Sequence, residues 1–490
     1  MARTLAQANT FPPTLPYFKQ IVYNYSMETI EVDLAVIGSG PGGQRAAIQG
    51  AKLGKRVVVV ERDTHLGGAC LNSGTIPSKT LREAILDLTR FYTRSFYGKE
   101  FDVPQISIYE LTYRLRRVLE EERKHLQRQF AKNEIKVVHG EARFHDTHHL
   151  IVTRNEAGKK LKVAADQIVI AAGSKPRNPI HVPFDDEVIL DSTRLLAIDR
   201  VPKEMIVLGG GIVGTEYASF FAALGTKVTV VDKRGRLLPL LDREIGTHLQ
   251  TYLSDLGMEF AGYRIPKEIR REGDRGFVLF EDGSTMEADV VLYALGRTAN
   301  ADLLDIERAG LSLNERGYIP VNLLFQTVKR NIYAVGDVIG APALASTSME
   351  QGRLAARHAF GEEVGRFPAV YPIGIYSIPE VSYVGYSEDQ LQEMGYRYEV
   401  GRAYYYEIAR GHISGSLGGM FKILFHKETL QILGVHIVGR NATELIHIGQ
   451  MAMNFRAPVD YFVSQVFNYP TFAEGYRIAA LNGMNKLKRS

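Results

Sequence analysis

The apolar residues of this chain fall into three rhythms. Short, nearly unbroken apolar runs at 31–37, 55–60, 166–171, 203–208, 228–231, 289–294 and 332–337 read as strands buried on both faces. Helical spacing predicts helices over 80–96, 108–131 and 343–356, the second carrying Leu111, Leu115, Leu119, Leu126 and Phe130 on one face. Short strands are predicted at 135–138, 140–144, 149–154 and 160–163, and a hairpin joins 277–280 to 285–287 through Glu281-Asp282-Gly283. From Tyr371 the pattern changes to strands at 381–386, 402–406, 419–425 and 431–438, then helices at 442–454 and 461–467. The alternation predicts an α/β chain that ends in a separate α+β domain.

Composition narrows this picture. At 490 residues the chain exceeds what one hydrophobic core supports, so roughly two to four domains are expected. With 59 basic and 55 acidic residues the net charge of +4 points to no nucleic-acid partner. Arg114, Arg116, Arg117, Arg123, Lys124 and Arg128 cluster on one predicted helix, but Glu120, Glu121 and Glu122 interrupt them, which reads as a solvated face. Nothing approaches the ~18 consecutive apolar residues of a membrane span. Cys70 is the only cysteine, which excludes an intramolecular disulfide and suits a reducing compartment such as the cytoplasm. Residues 1–27 read as an N-terminal extension, with an organelle-targeting segment as the alternative; Arg3 and Lys19 are its basic residues and Pro12, Pro13 and Pro16 interrupt any early helix.

Two glycine clusters carry the chemistry. The run 31–37 leads into Gly38-Ser39-Gly40-Pro41-Gly42-Gly43, and the next strand ends in Glu61. In this spacing Gly38 makes the tight turn, Gly40 admits a pyrophosphate, Gly43 lets a helix press on the sheet, and the terminal acid takes ribose hydroxyls. The pattern repeats after 203–208 with Gly209, Gly211 and Gly214, and its second strand ends in Asp232. Two complete fingerprints predict two Rossmann-like units that hold two dinucleotides at once. Asp232 suits the free ribose of NAD, whereas Lys233, Arg234 and Arg236 suit the 2′-phosphate of NADP, so the second site reads as one that accepts both; solvated loop cations are the alternative. No metal-ligand set is read.

The stretch Gly67-Gly68-Ala69-Cys70-Leu71-Asn72-Ser73-Gly74-Thr75-Ile76-Pro77-Ser78-Lys79, placed after the first fingerprint, resembles the pyridine nucleotide-disulfide oxidoreductase family, which includes glutathione reductase and lipoamide dehydrogenase. The resemblance spans about residues 31–483. It implies FAD at the first glycine turn, an exchangeable nicotinamide nucleotide at the second, and a C-terminal domain through which two or more copies assemble. The implied division is 28–188 and 300–368 for FAD, 189–299 for NAD(P) and 369–490 for the interface. Gly173 and Gly296 match the crossings between the two nucleotide domains, and Asp337 matches an aspartate on the ribityl or pyrophosphate part of FAD. Lys79 and Glu216 match an ion pair at flavin N5; a solvated lysine and a helix-start carboxylate are the readings without the family.

The chain departs from the family at its catalytic centre. Cys70 matches the first redox cysteine, but Thr75 occupies the second, and Tyr469 stands where the disulfide reductases pair a histidine with the residue matching Glu474. Tyrosine, with a pKa of ~10, is a poor replacement for a near-neutral base. Within the family these changes resemble the branch that passes hydride, with Si specificity, between NADPH and NAD through FAD at one alternating site. A Cys70 thiolate beside the flavin is a further expectation. The rival readings are an NAD(P)H oxidoreductase that reduces a quinone, dye or metal centre, and a flavin-bearing interaction protein whose catalytic pair has decayed.

Overall fold

The computed structural model describes residues 27–89, 107–155, 158–488. The expected N-terminal extension, save Met27, and the end of the helix expected over 80–96 lie outside them.

The first sheet runs Lys136–Phe144, Val57–Glu61, Thr29–Ile37, Lys160–Ile170 and Ile332–Ala334 in parallel. Its two faces follow the strand period: Ala35, Ile37, Val58 and Val60 face one core, and Leu34, Val36, Val57 and Val59 the other. The second core takes helices Pro41–Lys52 and Ala345–Ala359, which approach so closely that a Cβ on Gly352 would stand 2.0 Å from Gly42 O.

Where short separate strands were expected at 135–144 and 160–171, two continuous ones form. Lys136–Phe144 pairs parallel with Val57–Glu61 over 136–139 and antiparallel with His149–Arg154 over 140–144, while Lys160–Ile170 pairs parallel with Thr29–Ile37 over 162–170 and antiparallel with His149–Arg154 over 160–164. The alternating pattern belongs to the half exposed on one face, which is why the apolar rhythm changes partway along each strand.

A second parallel sheet is ordered Met258–Gly262, Lys227–Asp232, Glu204–Leu208, Val290–Tyr293 and Ile189–Asp191. The expected hairpin is present as Arg275–Phe280 with Thr285–Ala288, and Pro266–Glu272 adds a third strand to it. Ser174–Pro176 pairs antiparallel with Arg297–Ala299, so the two chain crossings between the parallel sheets form one ribbon. The C-terminal sheet is antiparallel, ordered Ile373–Ile375, Val381–Gly385, Ile432–Val438, Met420–His426 and Tyr398–Tyr404. Helices Ala442–Asn454 and Glu474–Leu487 lie against it. Among the described residues no helix is long and apolar enough to cross a membrane.

Candidate active site

The two glycine turns have the same internal logic. In the first, Gly38 sits at φ 98 with a hypothetical Cβ 2.5 Å from Ala171 O, and a Cβ on Gly43 would stand 2.0 Å from Gly38 O. In the second, Gly209 at φ 115 would meet Ala294 O at 2.7 Å, and Gly214 would meet Gly209 O at 1.9 Å. The fold itself demands these outer glycines. Among the described residues Gly40 and Gly211 meet nothing within 4 Å, so no described neighbour requires glycine there. These are the N-cap positions of Pro41–Lys52 and Ile212–Ala223, and neither helix has a side-chain cap. Open space over uncapped backbone N–H groups fits a pyrophosphate at each turn.

The acid at each strand end first organises its own turn. Glu61, 5% exposed, accepts from Ser39 N at 2.9 Å, Ser39 Oγ at 2.5 Å and Asp63 N at 2.9 Å. Asp232 accepts from Gly210 N at 2.7 Å and Arg234 N at 2.8 Å, while Arg234 Nε and Nη2 grip its two oxygens at 2.8 and 2.7 Å. Burial works to raise the Asp232 carboxyl, but these donors outweigh it and hold the group below the usual carboxylate range. The expected trio of cations is not equivalent. Lys233 is exposed, Arg234 faces Asp232 with its side chain 45% exposed, and Arg236 donates to the carbonyls of Pro239 and Leu241. Tyr263, at φ 60 and 83% exposed, lies across this loop: a Cβ on Gly235 would stand 2.0 Å from its hydroxyl.

Cys70 lies in the short helix Gly68–Asn72, and Thr75 opens the helix Thr75–Thr89 that carries Lys79. Burial pushes the Cys70 thiol up, against a hydrogen bond with Thr75 and the nearby Lys79 charge. The thiolate expected there is thus disfavoured in this chain, because the cost of burying the charge exceeds the help from its neighbours. Lys79 Nζ meets Glu216 Oε2 at 2.6 Å, joining residues 137 positions apart. Glu216 is nearly buried, and its other oxygen accepts from Tyr376 N at 2.8 Å; the Tyr376 ring lies 4.9 Å from Lys79 Nζ. Tyr376 escapes sequence reasoning because it comes from the C-terminal region, 160 positions from Glu216, and acts through its backbone.

At the ribbon, Gly173 (φ 68) and Gly296 (φ 105) both face open space. Asp337 accepts from Ser174 Oγ at 2.6 Å, and Ser174 Oγ in turn accepts from Arg297 Nε at 2.8 Å. Gln351 anchors the Gly336 N–H at 2.8 Å. Asn300 donates to Ala172 O, yet its buried Oδ1 has no partner among the described residues; the same holds for Thr215 Oγ1 beside Glu216. Unsatisfied polar atoms beside the open glycines suit a polar ligand along this line.

Tyr469 and Glu474 stand apart from this constellation. Tyr469 is 73% exposed and Glu474 opens the last helix; among the described residues no hydrogen bond joins them to each other or to Cys70, Thr75, Lys79 or Glu216. The acidic trio Asp242, Glu244 and Glu388, close enough to share a cation, closes instead on the buried Lys422 ammonium, 2.7 Å from Asp242 and 2.9 Å from Glu244.

Comparison with known proteins agrees with this geometry. The pyridine nucleotide-disulphide oxidoreductase model matches residues 32–352, and its dimerisation-domain model matches 371–480. A soluble pyridine nucleotide transhydrogenase of Mycobacterium bovis is 49% identical over 94% of this chain and 98% of its own length. One from Photorhabdus laumondii is 41% identical over 94% of this chain and its full length. Among solved structures, the HOCl-induced flavoprotein disulfide reductase RclA of Escherichia coli superposes with a TM-score of 0.83 at 28% identity, covering 92% of this chain and 99% of RclA. LpdA of Mycobacterium tuberculosis gives 0.85 at 26% identity, again over 92% of this chain and 99% of LpdA. With both nucleotide turns, the ion pair and both family domains in place along one polypeptide, the chain belongs to the pyridine nucleotide-disulphide oxidoreductase family.

Proposed function

We propose that this chain transfers hydride between NADPH and NAD through bound FAD, without a redox disulfide. The observation that carries the reading is that two dinucleotide turns and the Lys79–Glu216 pair are intact, while the lone Cys70 has Thr75 as its hydrogen-bond neighbour in place of a second thiol. The names of the transhydrogenase relatives support it.

Gly38, Gly40, Gly43, Glu61, Gly173 and Asp337 would hold FAD, and Gly209, Gly211, Gly214, Asp232, Arg234 and Gly296 the nicotinamide nucleotide. The domain division is then 28–188 and 300–368 for FAD, 189–299 for NAD(P) and 369–490 for assembly. Bound FAD supplies a two-electron acceptor and donor for the nicotinamides. Lys79 and Glu216, assigned to the redox edge of the flavin, keep that edge polar while cancelling each other's buried charge. Hydride transfer itself needs no proton donor, so the protein's contribution is positioning and shielding; Tyr469 in place of a near-neutral base costs this chemistry nothing. Arg234 takes the 2′-phosphate of NADP(H), and Asp232 the free ribose of NAD(H).

The dimerisation-domain match makes the chain a homo-oligomer, and we assign a dimer in the cytoplasm. The exposed apolar residues Phe455, Val466 and Tyr469 on the C-terminal region suit such a contact. Si specificity is part of the proposal, read by the stereochemistry of deuterium loss from labelled NADPH. Steady-state assay of NADPH with an NAD analogue, against quinone, glutathione disulfide and lipoamide as rival acceptors, tests the function. Rapid exchange without disulfide reduction is the expected result; a quinone preferred over the analogue overturns it.

A further inference from the structure

We infer that residues 376–380 of the C-terminal domain form a positioning device for the Lys79–Glu216 pair, with Arg82, Ser219 and Glu380 as its anchors. The inference rests on the reading of that pair as the one at the flavin.

Lys79 and Arg82 stand three apart on Thr75–Thr89, and Glu216 and Ser219 three apart on Ile212–Ala223, so each pair shares a helix face. The segment 376–380 runs along both faces. On one helix, Tyr376 N donates to Glu216 Oε1 at 2.8 Å and Ile378 N donates to Ser219 Oγ at 3.0 Å. On the other, Arg82 Nε donates to Ser377 O at 3.1 Å and Arg82 Nη2 to Glu380 Oε1 at 3.0 Å. Glu380 is locked from behind, its other oxygen accepting from Thr443 N at 3.0 Å and Thr443 Oγ1 at 2.7 Å.

These contacts are costly to leave unmade. Arg82 has a 5% exposed side chain and Glu380 one of 10%; Arg82 also meets the half-exposed Glu83 at 2.6 Å, but Arg82 is the cation that the buried Glu380 carboxylate faces. Among the described residues, the Glu216 carboxylate accepts from Lys79 and from the Tyr376 N–H, and Lys79 faces the Tyr376 ring. Tyr376 therefore holds the carboxylate directly through its N–H, and bears on the ammonium through that carboxylate and its ring, alongside the Ser78 Oγ contact at 3.3 Å. Three parts of the fold meet here: the helix after the first glycine turn's sheet, the helix of the second turn, and the C-terminal domain. The nucleotide-binding part then depends on the C-terminal domain of the same chain for a fixed ion pair, and displacement of reacting groups by about 1 Å is enough to slow chemistry by up to ~100-fold.

The test is anaerobic stopped-flow reduction of the FAD-loaded enzyme by NADPH. Ser219→Ala removes one anchor without stranding a charge. The double variant Arg82→Met/Glu380→Gln removes the other without leaving an unpaired buried ion. Flavin content and thermal midpoint are measured alongside. The flavin reduction rate is expected to fall about 3-fold in the first and about 10-fold or more in the second, with the NADPH Kd unchanged. In a Glu216→Gln background the same changes should produce no further loss, which a merely structural role would not predict. Wild-type reduction rates in both variants, or the same fold-loss in both backgrounds, overturn the inference. A wild-type rate in Glu216→Gln alone instead overturns the reading of the pair at the flavin, a separate outcome.

Discussion

Removal of the Arg234 side chain should separate the two nicotinamide nucleotides. The guanidinium spends one edge on Asp232, at 2.8 and 2.7 Å, and its side chain remains 45% exposed for a second anion. A charge-assisted contact to the 2′-phosphate is worth about 1.5–3 kcal/mol. At about 1.4 kcal/mol per decade, Arg234→Ala should weaken NADPH roughly 10- to 150-fold. The variant also uncovers the Asp232 charge toward the phosphate, which pushes the loss to the upper part of that range. NADH has no such phosphate, and Asp232 keeps the backbone N–H groups of Gly210 and residue 234 at 2.7 and 2.8 Å, so its affinity should change less than about 3-fold. Equilibrium titration of the variant with each nucleotide decides the matter. Equal weakening of NADPH and NADH would refute the reasoning; recovery of NADPH affinity in Asp232→Asn/Arg234→Ala would strengthen it, since that removes the repelling charge.

Four other outcomes rest on the glycine turns, the buried Lys422 cluster, the titration of His436 and Asp242, and the Cys70 thiol. Gly211→Ala, whose Cβ meets no described atom within 4 Å, should leave the thermal midpoint unchanged while weakening both nucleotides; Gly214→Ala, aimed 1.9 Å from Gly209 O, should lower the midpoint through an overpacking cost of about 1–3 kcal/mol in stability. Lys422→Met leaves Glu244 its Arg402 partner at 2.6 and 2.8 Å but takes the cation from the buried Asp242, and should cost about 3–5 kcal/mol in a melt at pH 7. In the wild type, burial depresses His436, and Asp242 is held low by the nearby His436 and Lys422 against the cost of burial. The unfolded chain therefore binds more protons below about pH 6.5 at His436 and about pH 3.9 at Asp242, so stability should decline as pH falls through these ranges; a flat midpoint from pH 7 to 4 would contradict this. Cys70→Ser should retain exchange, and the native thiol should alkylate slowly at pH 7 because burial raises it; rapid alkylation would show that the thiol is activated.

The glycine turns were legible in the sequence because their chemistry is local: a strand, a positive φ and a close helix contact all fall within a few residues. The ion pair was legible only through the family resemblance, since nothing near Lys79 announces Glu216. Tyr376 was not legible at all, as a backbone N–H carries no residue-type signal. The helix carrying Lys79 starts at Thr75, earlier than the expected residue 80, because Pro77 is tolerated in a first turn. The last helix, Glu474–Leu487, went unexpected because its buried face includes Gly475, Ala479, Ala480 and Gly483, small residues that leave no strong apolar rhythm. Arg236 reads as a phosphate ligand in sequence, yet neighbouring carbonyls occupy it once the loop closes.

The central claim is hydride exchange on a flavin with no disulfide behind it, and anaerobic titration of the FAD-loaded enzyme with NADPH, followed by NAD, tests it most directly. A disulfide reductase stores electrons on its thiol pair as well as its flavin, whereas this chain, with Cys70 alone, has only the flavin. Full bleaching should require one NADPH per FAD, and added NAD should restore the oxidised spectrum with one NADH formed. Uptake of two equivalents, or a bleached flavin that NAD leaves unchanged, would contradict the account.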